Sequence, residues 1–187
     1  MAVLDDAADL ASVVGLNGLT IGTLADRAQM SKSGLFAHFR SKEALQVAVM
    51  EHVHRQFAES VIHPALRAPR GEPRLRELVR LRLDWADRPR YTGGCVLIAS
   101  IAELDDQPGP ARDVLVQGQR DWLDVIATII RSGIAQGAFR ADTNPEQVAF
   151  TLNGIFIAHQ LQGRLLQEPT SDLAWSAFED VLDRIRS

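Results

Sequence analysis

Apolar residues recur at every third or fourth position along almost the whole 187-residue chain, and this periodicity most constrains the fold. No segment shows the sustained period-two alternation that is typical of strands. Turn-forming residues interrupt the helical pattern at intervals: Asn17-Gly18, residues 68–73 (APRGEP), Gly93-Gly94 and Asn144-Pro145. The sequence therefore predicts an all-α protein of about nine helices.

Composition excludes several classes of protein. The net charge of −4 and the pI of about 5.7 argue against coating by nucleic acid over the whole surface, although a local basic face is still possible. Cys95 is the single cysteine, so no intrachain disulfide can form, and we expect a reducing, cytoplasmic setting. The acidic N-terminus does not resemble a signal peptide. Apolar stretches are too short for a membrane span, so we expect no membrane partner.

One basic stretch stands out in this acidic chain. The sequence MSKSGLFAHFRSKEAL, residues 30–45, contains both lysines of the chain. From Arg27 to Lys42 there are four basic residues and no acidic one, and subtracting these four from the net charge of −4 leaves −8 on the rest. A local basic face in an acidic protein indicates contact with phosphate.

Two short amphipathic segments flank a tight turn at Gln29-Met30. The apolar positions are Leu24, Ala25 and Ala28 on the first segment, and Leu35 and Phe39 on the second. Small residues let two helices cross closely, so the pattern indicates a helix-turn-helix. In that motif the second helix lies in the major groove of DNA and the first crosses the backbone.

Hydroxyl residues begin three of the predicted helices: Thr20, Ser31 and Ser41. A helix N-terminus offers free N–H groups and a positive dipole end, so each is a candidate phosphate site. We predict a helix-turn-helix DNA-binding domain over residues 1–45 and a ligand-binding and dimerisation domain over residues 46–187. A fourth helix, about residues 41–64, links the two.

The stretch GLNGLTIGTLADRAQMSKSGLFAHFRSKEAL resembles the DNA-binding domain of TetR-family transcriptional regulators. The resemblance covers about residues 4–53, and the segment from Gly93 through Glu103 to Trp122 resembles the ligand-binding part of one branch. It implies a homodimeric, non-enzymatic regulator of the repressor type, without a cofactor. Such a protein binds a palindromic double-stranded operator, and a small-molecule effector changes the spacing of its two DNA-binding heads.

The resemblance also implies roles for single residues. Phosphate contacts would fall to Thr20, Ser31 and Lys42. The major groove would be faced by Lys32, Ser33, Gly34, Leu35 and His38, while Phe39 would lie in the core. Phe36 stands where the family usually has tyrosine, so a hydroxyl-to-phosphate bond would be missing, and Gln29 stands where the family usually has glycine.

The predicted C-terminal helices carry aromatic and apolar residues that would face a common interior. The candidates for an effector pocket are Trp85, Tyr91, Cys95, Ile98, Trp122, Ile126, Phe150, Phe156 and His159. Taken singly, most such residues belong to a core. We prefer Trp122, Phe156 and His159 as lining residues. The apolar composition, with few converging charges, predicts a mostly hydrophobic effector.

Dimerisation is expected to use the last two long helices. One apolar stripe comprises Val148, Leu152, Ile155, His159 and Gln162, and a second comprises Trp175, Phe178, Val181 and Leu182. Two such helices from each partner would form a four-helix interface. His159 is therefore a candidate for either the pocket or the interface.

Two other interpretations are open from the sequence. Glu51-x-x-His54 has the spacing of a helical metal-ligand pair, which favours a carboxylate-metal enzyme, but the second copy that such a site needs is not evident. We therefore expect no metal and no catalysis. The other interpretation is a sensing or scaffold protein with a vestigial DNA-binding head, motivated by Phe36, Gln29 and the short segment before the first predicted helix.

Overall fold

The computed structural model describes residues 2–187, and its regular structure is helical apart from one isolated bridge between Phe139 and Arg186. The described α-helices are α1 (Ala2–Val14), α2 (Ile21–Ala28), α3 (Lys32–Phe39), α4 (Lys42–Phe57), α5 (His63–Arg67), α6 (Glu72–Asp87), α7 (Val96–Leu104), α8 (Pro110–Ala135), α9 (Pro145–Leu166) and α10 (Ser171–Ile185). A π-helical segment, Ala58–Ile62, joins α4 to α5 without a break, so the described chain forms nine continuous helical rods. The all-α prediction is confirmed.

The predicted fourth helix continues beyond Pro64, where we expected it to end. After α4 the backbone widens into the π-helical segment, and α5 carries the helical run on to Arg67. A proline ring crowds the carbonyl four residues earlier in an α-helix and provides no N–H for it. The wider π turn gives that ring space, and the helical run therefore passes through Pro64.

The helices form two compact units. The first contains the N-terminal helices up to Gln56 together with Pro89–Gly118, and the second contains Phe57–Arg88 and Gln119–Ser187. The first unit is discontinuous because the segment that carries α7 packs with the N-terminal helices rather than with the rest of the C-terminal part. These units are defined by packing and do not test the predicted boundary at residue 45, which stays a prediction.

Ion pairs tie the C-terminus of the second unit to α6. Arg186 Nη2 lies 2.7 Å from Glu72 Oε1, and Arg76 donates to both carboxylate oxygens of Glu179 at 2.5 and 2.8 Å. Hydrogen bonds from Arg186 and Arg76 lower the pKa of Glu72 to about 2. No helix among residues 2–187 combines the length and the apolar character needed to cross a membrane.

Candidate functional site

The turn between α2 and α3 has the backbone of a helix-turn-helix even though glutamine occupies its left-handed position. Gln29 has φ 53° and ψ 37°, and its N–H donates to the carbonyl of Ala25. Met30 donates to the same carbonyl at 3.1 Å. A residue with a Cβ pays roughly 1–2 kcal/mol for this conformation. The departure at Gln29 therefore adds strain without removing the turn.

One side of α3 packs into the core of the DNA-binding head, defined here as α1–α3 and the start of α4. Leu35 is 1 % exposed and Phe39 is also buried, as are Leu24 and Ala25 on α2. Positions 35 and 39 are one helical turn apart and share a face, so both side chains point into the head. The prediction that Leu35 faces the major groove is corrected, while the predicted core position of Phe39 is confirmed.

The other side of α3 is exposed and carries most of the predicted DNA contacts. Its exposed residues include Lys32, Ser33, Gly34, Phe36 and His38, and Ser31 and Lys42 beside it are exposed as well. Thr20 is half-buried. These side chains lie at the first turns of α2, α3 and α4 or along α3, so they form one candidate surface for DNA. Their contacts with DNA stay a prediction.

Hydroxyl groups cap the three helices of this surface. Thr20 Oγ1 accepts the N–H of Thr23 at 3.1 Å, and Ser31 Oγ accepts that of Gly34 at 3.1 Å. Ser41 Oγ accepts the N–H of Ala44 at 3.0 Å. The first turns of α2 and α3 hold no acidic residue. Their positive dipole ends are therefore not neutralised locally and favour an anion.

The four basic residues of the stretch are not equivalent. Arg27 forms an ion pair with Asp9, and Lys42 Nζ donates to the carbonyl oxygen of Asn17 at 2.5 Å. Lys32 and Arg40 are exposed and make no hydrogen bond or ion pair within residues 2–187. Their charges are the ones most available to phosphate.

Hydrogen bonds attach α1 to the turn that precedes α7. Asp9 Oδ1 accepts the N–H of Thr92 at 2.6 Å, and Ser12 Oγ accepts the N–H of Gly93 at 2.7 Å. Burial raises the pKa of Asp9, but the hydrogen bonds from Thr92 and the guanidinium of Arg27 outweigh it, and the pKa is lowered overall. The carboxylate is therefore held ionised between the head and the turn.

Glu103 forms a second attachment between α7 and the head. Its carboxylate accepts the N–H groups of Leu16 at 3.1 Å and Asn17 at 2.8 Å, while Gln46 Nε2 donates to the carbonyl of Leu16 at 2.9 Å. These bonds fix the loop that leads from α1 into α2. No such role was predicted for Glu103; the only signal in the sequence was an acidic residue in an otherwise very apolar helix.

Aromatic rings meet in the core of the second unit. Ring centroids are 5.5 Å apart for Phe57 and Trp85, 5.2 Å for Phe57 and Trp122, and 5.8 Å for Trp122 and Phe156. Ile126 is buried in the same hydrophobic core. The structure thus brings together four predicted pocket residues, and it adds Phe57 of α4, which was not among the pocket candidates.

Two polar groups border this aromatic cluster of Phe57, Trp85, Trp122 and Phe156. Trp122 Nε1 donates to Asn153 Oδ1 at 3.1 Å. The buried Arg82 places its guanidinium carbon 5.4 Å from the ring centroid of Phe156 and donates to Gln160 Oε1 at 3.3 Å. The predicted hydrophobic surroundings therefore include one buried cation that sequence analysis missed, because its helix carries several other arginines.

The remaining predicted pocket residues lie elsewhere. Tyr91, Cys95 and Ile98 belong to the first unit. His159 is buried, with Nδ1 2.7 Å from Thr170 Oγ1 and Nε2 3.0 Å from Asp87 Oδ1. It thus ties α9 to the end of α6 and the start of α10, which accounts for its buried polar ring without placing it in a pocket or an interface.

The predicted dimer stripes are largely turned inward. Val148, Leu152, His159, Phe178 and Leu182 are buried within their own chain. The large apolar residues that α9 and the start of α10 expose are Phe150, Leu161, Leu165, Leu166 and Leu173. The predicted dimer stripe on α9 is therefore corrected. This helix has apolar residues on more than one face, and those of the predicted stripe fill the core of the same chain. Phe150, at 78 % exposed, is also removed from the pocket candidates.

Glu51 and His54 gain no further metal ligands from the fold. Across residues 2–187, no three His, Cys, Asp or Glu side chains are arranged to hold a metal ion. The carboxylate-metal interpretation thus rests on the spacing of this pair alone.

Two family descriptions match the chain and together span most of it. "Bacterial regulatory proteins, tetR family" matches residues 3–49, and "Tetracyclin repressor-like, C-terminal domain" matches residues 71–178. The first match contains the helix-turn-helix, and the second contains the aromatic cluster apart from Phe57. Members of this family are DNA-binding regulators rather than enzymes, as predicted.

Relatives and solved structures agree with these matches. The chain is 23 % identical over 153 residues to the HTH-type transcriptional repressor NemR of Escherichia coli (strain K12). The aligned region covers 81 % of this chain and 76 % of that protein. A TetR transcriptional regulator from Chloroflexus aurantiacus J-10-FL has the same fold, with a TM-score of 0.88, 22 % identity, and coverage of 99 % and 94 %. AibR, in complex with isovaleryl coenzyme A and operator DNA, has a TM-score of 0.76, 23 % identity, and coverage of 96 % and 94 %. The chain therefore belongs to the TetR family of transcriptional regulators.

Proposed function

We propose that the protein is a homodimeric repressor that leaves a palindromic operator when a small, mostly hydrophobic molecule binds the second unit. The observation that carries this is the exposed, basic side of α3, flanked by capped helix N-termini and backed by the buried Leu35 and Phe39. NemR is named a repressor, and AibR binds a ligand and operator DNA, which supports the same division of roles. Such a regulator would meet its operator in the cytoplasm.

The exposed apolar face of α9 is the proposed dimer interface. Phe150, Leu161 and Leu165 are spaced so that their side chains share one side of the helix. Gly154 lies on the same side, with open space around it, so a partner helix can approach closely. Several large apolar side chains exposed together mark an interaction site, and a second copy of the chain would bury them symmetrically.

The aromatic cluster is the proposed effector site. Its rings would contact an apolar molecule, while the buried Arg82 beside Phe156 would favour a polar or anionic group at one end of it. An effector that binds the DNA-incompetent arrangement more tightly weakens operator binding by that difference in affinity. The sign of regulation follows from which arrangement the effector prefers.

Selection from random double-stranded DNA tests the proposal. We expect the full-length protein to enrich a palindrome, because two symmetric heads read two half-sites with inverted symmetry. Randomised DNA carried through selection without protein gives the background. Enrichment of no palindrome would contradict the proposal and favour the sensing or scaffold protein with a vestigial head.

Lys42→Ala and Arg40→Ala compare a lysine whose side chain also bonds within residues 2–187 with an arginine whose side chain does not. We expect each to flatten the dependence of log Kd on log salt by roughly one unit, because each removes one phosphate contact. Lys42→Ala should also lower the free energy of unfolding by about 1 kcal/mol, since the Asn17 carbonyl loses its donor. Salt titrations of operator binding and urea unfolding measure the two effects. An unchanged slope for both variants would contradict the phosphate role.

A further inference from the structure

Phe36 is a large apolar side chain on a surface that is otherwise polar and basic. Its ring is 58 % exposed on the side of α3 that we propose faces DNA. Lys32 and Ser33 precede it by four and three residues, so their side chains are its neighbours on the helix surface. Exposure of the apolar ring to water is unfavourable, and apolar surface of a partner would remove the ring from water.

The chemistry of phenylalanine limits what that partner can be. The ring has no hydrogen-bond donor or acceptor, so Phe36 cannot bind a phosphate oxygen or a polar atom of a base edge. In the major groove, the apolar group that differs between base pairs is the C5-methyl group of thymine. Resting on the proposed DNA-binding function, we propose that Phe36 reads one thymine in each operator half-site by contact with its C5-methyl group.

Methyl deletion in the DNA tests this contact. In the selected operator, each thymine is replaced in turn, in both half-sites, by deoxyuridine, which lacks only the methyl group and keeps the base pair. We expect one symmetry-related pair at which replacement weakens wild-type binding by about fifteen-fold, or about four-fold per half-site. With Phe36→Ala, the same replacement should leave the affinity nearly unchanged.

Two control variants isolate the ring. Met30→Ala removes another exposed apolar side chain beside α3 and should keep the fifteen-fold effect of deoxyuridine. Phe36→Tyr keeps the ring and should keep the methyl dependence. Because Phe36 is exposed, Phe36→Ala should fold with an unchanged thermal midpoint, which circular dichroism verifies.

The outcomes distinguish this inference from the proposed function. If deoxyuridine at no position weakens binding, Phe36 does not read a methyl group. The same holds if each replacement weakens binding by wild-type protein and by Phe36→Ala to the same extent. In both cases the proposed operator binding is unaffected. If selection yields no operator at all, both the inference and the proposed function are overturned.

Discussion

Replacement of Phe150 and Leu165 by glutamate is expected to convert the proposed homodimer into a monomer. The two side chains are 78 % and 83 % exposed in the single chain and lie on the same side of α9. A symmetric interface buries each of them twice, and a buried Phe or Leu contributes about 1.5–3 kcal/mol. Four such side chains in a symmetric interface together contribute about 6 kcal/mol at the lower end of that range, so loss of half of the sum raises the dimer dissociation constant by roughly a hundred-fold. Sedimentation equilibrium measures the change.

The same variant should lose operator affinity. Two linked heads bind two half-sites with a high effective concentration for the second, whereas separate heads must each bind alone. We therefore expect Phe150→Glu/Leu165→Glu to bind the palindrome no better than a single half-site. Fluorescence anisotropy with both DNA fragments compares the two affinities directly.

Leu66→Glu is the matched control for this prediction. Leu66 is also an exposed leucine, but it lies on α5 rather than on the exposed face of α9. Its replacement adds one negative charge per chain, against two in the double variant, and should leave both the proposed dimer and operator binding intact. A Phe150→Glu/Leu165→Glu variant that sediments as the wild-type dimer would contradict the assignment of the interface.

Local chemistry made the DNA-binding head predictable. The capping roles of Thr20 and Ser31 depend on an N–H group three residues later in the same helix, so the sequence pattern carries the information directly. The turn at Gln29 was predicted from the short amphipathic segments on either side of it, although the family usually has glycine there. Leu35 was misassigned because the resemblance gave it a groove role that its buried position on α3 excludes.

The sequence predicted that the long helices exist better than it predicted which of their apolar faces are buried. On α9, Leu152 and Leu161 both belong to apolar stripes, but Leu152 is buried in its own chain and Leu161 is exposed. Periodicity shows that a helix has apolar sides, and only the positions of its neighbours decide which side fills the core. The dimer stripe therefore could not be chosen from the sequence.

Long-range hydrogen bonds were also beyond the sequence. Asp9 and Thr92 are 83 positions apart, and Glu103 accepts N–H groups from residues 86 and 87 positions away. Nothing in the spacing of these residues marks them as partners, because their contact is produced by the packing of α7 with the head. The same packing makes the first unit discontinuous and puts Cys95 in the first unit, while the aromatic cluster belongs to the second.

Gly93→Ala is expected to break the attachment of α1 to the turn before α7. A Cβ at this position would lie 1.7 Å from the carbonyl oxygen of Ser12 and 2.0 Å from its carbonyl carbon. Both are backbone atoms, so the clash cannot be relieved by rotation of a side chain, and either α1 or the turn must move. We expect the free energy of unfolding to fall by about 3 kcal/mol. Urea unfolding measures this loss.

Gly22→Ala shows what the same added methyl group does where there is room for it. Its Cβ would meet its nearest neighbour at 3.7 Å, an ordinary contact, and in α2 alanine should stabilise the helix by about 0.5–1 kcal/mol. Hydrogen exchange then locates the damage in Gly93→Ala. Faster exchange at Thr92 and along α1, with α2 and α3 protected, means that the turn stabilises α1 but does not hold α2 and α3 folded. Unfolding at wild-type urea concentrations would instead show that Ser12 and Gly93 do not approach so closely.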